Sequence, residues 1–164
     1  MANRNERPIT LPLLDRLIDY EPKQSEELPV SRAESVRRFR EAVRRDLEWL
    51  LNTHQPVLAL EEDSQLENSL LRYGLPDISA LSARNVQDRK RLTEAIHSII
   101  EKFEPRIANV RVSLAEMGET KLPVLTFVIE GALRMDPGAE YVSFNTVLDL
   151  ANKEYKVQGE ASAR

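Results

Sequence analysis

The side chains best able to do chemistry in this chain are few and scattered. The two histidines, His54 and His97, stand far apart, and neither falls in a spacing that builds a metal site or a catalytic triad. Cysteine is absent, which removes disulfides, thiolate catalysis and cysteine-ligated zinc together and fits a reducing compartment. Gly74, Gly118, Gly131, Gly138 and Gly159 are dispersed, so they form no phosphate-cradling loop or dinucleotide fingerprint. With 27 carboxylates some pair must fall at the separation used in glycoside hydrolysis, so proximity alone cannot identify an acid and a nucleophile. A sugar cleft also wants aromatic platforms, whereas the single tryptophan, Trp49, lies beside a helical apolar stripe and reads as core or interface. No cofactor and no metal is expected.

The most informative local feature is Phe103-Glu104-Pro105-Arg106. Phe103 would anchor a helix end in the core while Pro105 fixes the exit direction. Arg106 would then present its planar fork of donors to a carboxylate or to backbone carbonyls. In a plainer reading, Arg106 complements the helix C-terminal dipole and Glu104 is solvated.

The elements that must position this motif follow from periodicity. Ser31 with Glu34 makes a capping box, and Val36, Phe39, Val43, Leu47 and Leu50 recur at helical spacing, predicting a helix over about 32–52. Glu34 precedes Arg38 and Glu41 precedes Arg45 by four residues, so the arginines at 37, 38, 40, 44 and 45 read as a solvated, ion-paired face. A loop over 52–63 and a short helix or turn over 64–72 follow, stopped by Tyr73-Gly-Leu-Pro-Asp77. Leu92, Ile96, Ile99 and Phe103 mark a second long helix from near Asn85 to near Glu104, with His97 on its polar flank.

Beyond Pro105 the period becomes two, at Val110 to Leu114, Leu125 to Ile129 and Val142 to Phe144. Gly118 and Asp136-Pro-Gly138 read as tight connections, and Glu154 to Val157 as a short fourth strand. The expected fold is α+β, with N-terminal helices packed on a C-terminal antiparallel sheet of three to four strands. Residues 1–30 read as an extended or partly ordered arm, 31–158 as one domain and 159–164 as a flexible tail.

Composition agrees with a folded domain: 41% of residues are hydrophobic and 30% charged. No segment approaches the roughly 20 apolar residues a membrane span requires, and the first residues lack a secretory h-region, so a cytoplasmic protein with no direct membrane insertion is expected. The net charge of -4 argues against nucleic acid as a partner.

Four motifs occur in order: Leu13-Leu-Asp-Arg-Leu17, Arg45-Asp-Leu-Glu-Trp-Leu-Leu-Asn-Thr53, Ser69 with Tyr73-Gly-Leu-Pro-Asp77, and Phe103-Glu-Pro-Arg106. Together they resemble the TssE family of type VI secretion baseplate components, named after the lysozyme-like baseplate wedge protein of contractile-tailed phages. The resemblance covers roughly 11–158, with one departure, His54 in place of an expected arginine. It implies a structural, non-enzymatic subunit joining wedge proteins of the TssF, TssG and TssK type to a sheath of TssB/TssC type, cytoplasmic in an assembly docked at the inner membrane. In that family the glutamate-proline-arginine motif is linked to assembly with wedge partners, which maps partner binding onto Glu104, Pro105 and Arg106. The fold it implies resembles the part of the sheath subunit through which neighbours exchange strands. A peptidoglycan hydrolase with Glu104 as general acid and a generic strand-docking module are the alternatives.

Overall fold

The computed structural model describes residues 8–18, 30–56, 69–78, 81–115, 124–136 and 138–160. The expectations for 19–29, most of the loop and short helix over 57–68, Gly118, Pro137 and the last four residues lie outside the described residues. Within them the chain runs through α1 (Leu13–Leu17), α2 (Arg32–Asn52), a 3-10 turn (Leu70–Arg72), α3 (Val86–Phe103), β1 (Ile107–Leu114), β2 (Val124–Leu133), β3 (Glu140–Asp149) and β4 (Glu154–Glu160). The strands form one antiparallel meander in the order β1-β2-β3-β4.

Capping chemistry sets the ends of the long helices. The Ser31 hydroxyl accepts the Glu34 N–H at 3.2 Å at the start of α2, and the Asn85 side chain accepts the Gln87 N–H at 2.8 Å at the start of α3. Pro105 ends α3, with Glu104 already out of helical geometry as its C-cap. The apolar stripes of the two helices, Phe39, Val43, Leu47 and Leu50 on α2 and Leu92, Ile96 and Ile100 on α3, are buried against one face of the sheet. That face presents Leu125, Phe127, Ile129 and Leu133 from β2 and Val142, Phe144 and Leu148 from β3, all buried. Each large apolar side chain buried here contributes about 1.5–3 kcal/mol of transfer free energy. α3 lies over β1 and α2 over β4.

Two glycines hold backbone where no other residue fits. Gly74 has φ of 101°, and a Cβ there would lie 2.3 Å from the Thr53 carbonyl oxygen. This close approach lets Leu75 and Gln55 exchange backbone hydrogen bonds with Thr53 and Leu75, tying the 73–76 segment to the end of α2. Gly131 faces a bulge in β1: Ala108 pairs with Ala132 and Arg111 with Glu130, so Asn109 and Val110 together oppose Gly131. Asn109 takes φ of 53°, and a Cβ on Gly131 would meet Ile107 Cγ2 at 2.4 Å. The bulge puts both Ile107 and Val110 into the core although they are an odd number of positions apart.

The arginine-rich face of α2 departs from the expectation. Arg37 and Arg38 are exposed and pair with Glu34, as expected. Arg40, Arg44 and Arg45 are not a solvated row: Arg40 pairs with Glu140 on β3, Arg44 reaches the Val157 carbonyl on β4 at 2.8 Å, and Arg45 reaches Asp15 on α1 at 2.7 Å. The expected Glu41–Arg45 pair is replaced by Glu41–Arg44 at 2.7 Å. α2 is packed on both flanks, so its cations find partners on neighbouring elements rather than only along the helix.

Candidate partner-binding site

The Glu104-Pro105-Arg106 segment is a tight turn between α3 and β1. The Ile107 N–H donates to the Glu104 carbonyl at 3.1 Å, and the Arg134 N–H donates to the Arg106 carbonyl at 2.8 Å, so the turn is fixed at both ends by backbone. Pro105 is exposed at its tip and supplies the preset φ such a turn favours. Glu104 is buried, with 4% of its surface exposed, which overturns the reading of it as solvated. A charge so buried requires a partner, and Arg106 is that partner. Its Nε donates to Glu104 Oε1 at 2.5 Å and its Nη2 to Glu104 Oε2, the fork-on-carboxylate arrangement open to arginine and closed to lysine.

The pair continues into a ladder of alternating charge. Arg106 Nη2 also donates to Asp46 Oδ2 at 2.7 Å, while Asp46 Oδ1 accepts from Arg45 Nε at 2.9 Å and Nη2 at 2.7 Å. Arg45 Nη1 reaches Asp15 Oδ1, and the Asp15 side chain is only 8% exposed. Three carboxylates and two guanidinium groups thus link α1, α2 and the α3–β1 turn. Burial acts to lower the Arg106 pKa, but its hydrogen bonds and charge contacts with Glu104, then Asp46, outweigh burial and hold it above the ordinary value. Burial is also the first cause that raises the Tyr73 hydroxyl, with the Asp46 and Glu104 charges adding to it.

Beside the ladder lies a groove of about 260 Å3 lined by Leu14, Asp46, Trp49, Leu50, Tyr73, Phe103, Glu104 and Arg106. Phe103 packs edge-on against Tyr73, with centroids 5.3 Å apart, at the end of α3, where its anchoring role was expected. Trp49 is 52% exposed and carries the Arg45 guanidinium 4.8 Å above its ring, so of its two readings the structure excludes core. Leu13, Leu14 and Leu17 of α1 are also exposed. Sequence reading singled out Glu104, Pro105 and Arg106, which the structure places together in one ion-paired turn; it did not foresee their link to Asp46, Arg45 and Asp15, although each lies inside a motif singled out for other reasons. His54 is exposed and His97 places Nε2 3.2 Å from the Val110 carbonyl, so the structure does not bring them together.

Among the described residues no helix is long and apolar enough to cross a membrane. No curated protein and no solved structure matches the chain. The family model described as baseplate wedge protein gp25 matches residues 37–138, well over half of the chain. The match takes in Arg45, Asp46, Trp49 and the whole Glu104-Pro105-Arg106 turn, and stops before β3. The chain therefore belongs to the baseplate wedge protein gp25 family, of which TssE is a member, and is a structural component of phage-baseplate type.

Proposed function

We propose that the chain is a non-catalytic wedge subunit of a type VI secretion baseplate, joining partners of the TssF, TssG and TssK type to the first ring of a TssB/TssC-type sheath. It would act in the cytoplasm, in an assembly docked at the inner membrane. Its assembly function lies in the domain over 31–158, whose last strand, β4, runs on to Glu160 where a tail from 159 was expected. Glu104, Pro105 and Arg106 carry the contact with wedge partners.

The observation that supports this most is the Arg106 fork held by two carboxylates beside an open groove edged by half-exposed Trp49. A turn fixed by its backbone, by Glu104 and by Asp46 loses little conformational freedom on binding, and exposed Trp and Arg side chains are the residue types that dominate binding energy. The geometry does not favour a hydrolase reading. Both Glu104 oxygens accept from Arg106, so neither is presented to a leaving-group oxygen.

Affinity co-purification of the tagged chain from its native cytoplasm tests the proposal. Recovery of wedge and sheath subunits is expected; recovery of neither, with cell-wall hydrolysis by the purified protein, would overturn it.

A further inference from the structure

No residue of α1 is buried as a whole, and five residues are too few for a helix to persist in water on its own hydrogen bonds. The chain just before it is anchored. The Ile9 N–H donates to Ser35 Oγ at 2.9 Å, and Ile9 and Leu11 pack half-buried against the core. Beyond Pro12, which gives the first turn no side-chain cap, α1 is tied to the domain through Asp15, whose Oδ1 accepts from Arg45 Nη1 at 2.7 Å. Leu14 stands in the wall of the groove that Trp49 and Arg106 also line. The anchor thus ends where the helix begins, and Pro12 is the natural hinge.

The tie is incomplete. Asp15 Oδ2 is buried and has no hydrogen-bond partner among the described residues. Withdrawing that oxygen from water without a donor opposes docking of α1, while the contact of Oδ1 with Arg45 favours it. Leu13, Leu14 and Leu17 stay exposed and add little burial to tip the balance. Arg45, by contrast, does not depend on α1 for its place. Its Nε and Nη2 both rest on Asp46 Oδ1, and its guanidinium lies over the Trp49 ring. If α1 leaves, Arg45 stays positioned with Nη1 open to another acceptor, on the same ladder as Arg106.

We infer that α1 is an internal stand-in for the partner: in the free chain Asp15 holds Arg45 and Leu14 walls the groove, and both give way when an acidic, apolar segment docks. The chemistry of that segment follows from what it replaces. It brings a carboxylate to Arg45 Nη1 and a leucine-sized side chain to the space beside Trp49. A carboxylate with both oxygens satisfied is a better ligand for Arg45 than Asp15. Docked α1 lowers the apparent affinity of the site by the fraction of chains in which the groove is free. The inference rests on the proposed wedge contact for the source of the segment, and on the structure alone for the strap.

Asp15→Ala in the full chain removes the tie and leaves the Glu104-Pro105-Arg106 turn untouched; the thermal midpoint should barely move, because α1 contains no buried residue. Trp49 is the single tryptophan, so acrylamide quenching of its fluorescence reads the groove wall and should increase in the variant. The Arg16 and Ile18 amides, which donate to the Pro12 and Leu14 carbonyls, should be protected from exchange in wild type and unprotected in Asp15→Ala. The wild-type protection should be about 10–100-fold. Purified TssF- and TssG-type subunits should bind Asp15→Ala more tightly by about the same factor, since one closing equilibrium sets both. Protection equal to that of the Leu47 and Leu51 amides of α2, or unaltered in the variant, would make α1 a fixed part of the fold and overturn the inference. Equal or weaker wedge binding by the opened variant would overturn it too, the weaker case making α1 part of the contact. If neither chain binds wedge subunits, the wedge reading fails by itself, and quenching and exchange still decide the strap.

Discussion

Arg106 meets Asp46 at 2.7 Å across 60 positions of sequence, and this contact fastens the α3–β1 turn to the middle of α2. Asp46 stands between two cations and Arg106 between two carboxylates, so removing either leaves a partly buried charge short of a partner. Asp46→Ala is expected to cost about 1–3 kcal/mol in urea denaturation, and Arg106→Leu a similar amount. The double variant should lose clearly less than the sum of the two, because the charges compensate one another. Additive losses would mean that the ladder is only a surface arrangement.

Gly74 and Gly131 give a second prediction. Alanine at Gly74 would combine positive φ with a clash on the Thr53 carbonyl, and alanine at Gly131 would collide with Ile107 across the bulge. Each should lower stability by roughly 1–3 kcal/mol, read as a fall in thermal midpoint. Gly138→Ala, where nothing stands within 4 Å of the new methyl, is the control and should shift it little.

The first turn of α2 should carry a signature in acid. Side-chain hydrogen bonds from Arg37, then Arg38, lower the Glu34 pKa from 4.5 to about 2. A carboxylate with a depressed folded pKa contributes stability that is present above its unfolded value and is lost as pH falls through the folded one. The Glu34 contribution is therefore complete above about 4.5 and disappears toward 2. Carbon-detected NMR titration of the Glu34 carboxyl should show a midpoint near 2 in wild type and a higher one in Arg37→Ala. An ordinary glutamate midpoint in wild type would contradict the pairing.

Trp49 separates binding from stability. Half-exposed and covered on one side by Arg45, it should be replaceable by alanine at a cost within about 1 kcal/mol. Capture of wedge partners should nonetheless fall by tenfold or more if Trp49 forms part of the contact. Unchanged capture would confine the interface to the turn itself.

What could be read in advance follows a physical division. Ser31, Asn85 and Pro105 act on their immediate neighbours, and apolar side chains repeat with the period of the element that buries them, so both long helices and the meander were legible. The segment Phe103 to Arg106 was legible as a helix end and turn for the same reason, since its geometry is local. The Asp46–Arg106 and Asp15–Arg45 contacts were not, because they join separate elements and any of the 27 carboxylates could have served. The arginines of α2 misled because helical spacing favours pairs along one helix, and it is silent about strands packed on its flank. One missed feature left a trace: Ile107 and Val110 break the alternation by one position, which is the mark of the bulge at Asn109.

The central claim is that the Glu104-Pro105-Arg106 turn is the contact for wedge partners. Its most direct test is capture of purified TssF- and TssG-type subunits by wild type and by Arg106→Gln, each verified as folded by circular dichroism and thermal midpoint. Arg106→Gln keeps a polar side chain and avoids adding a third carboxylate beside Glu104 and Asp46. Capture by wild type and its loss in the folded variant is the predicted result; undiminished capture by the folded variant would contradict the account.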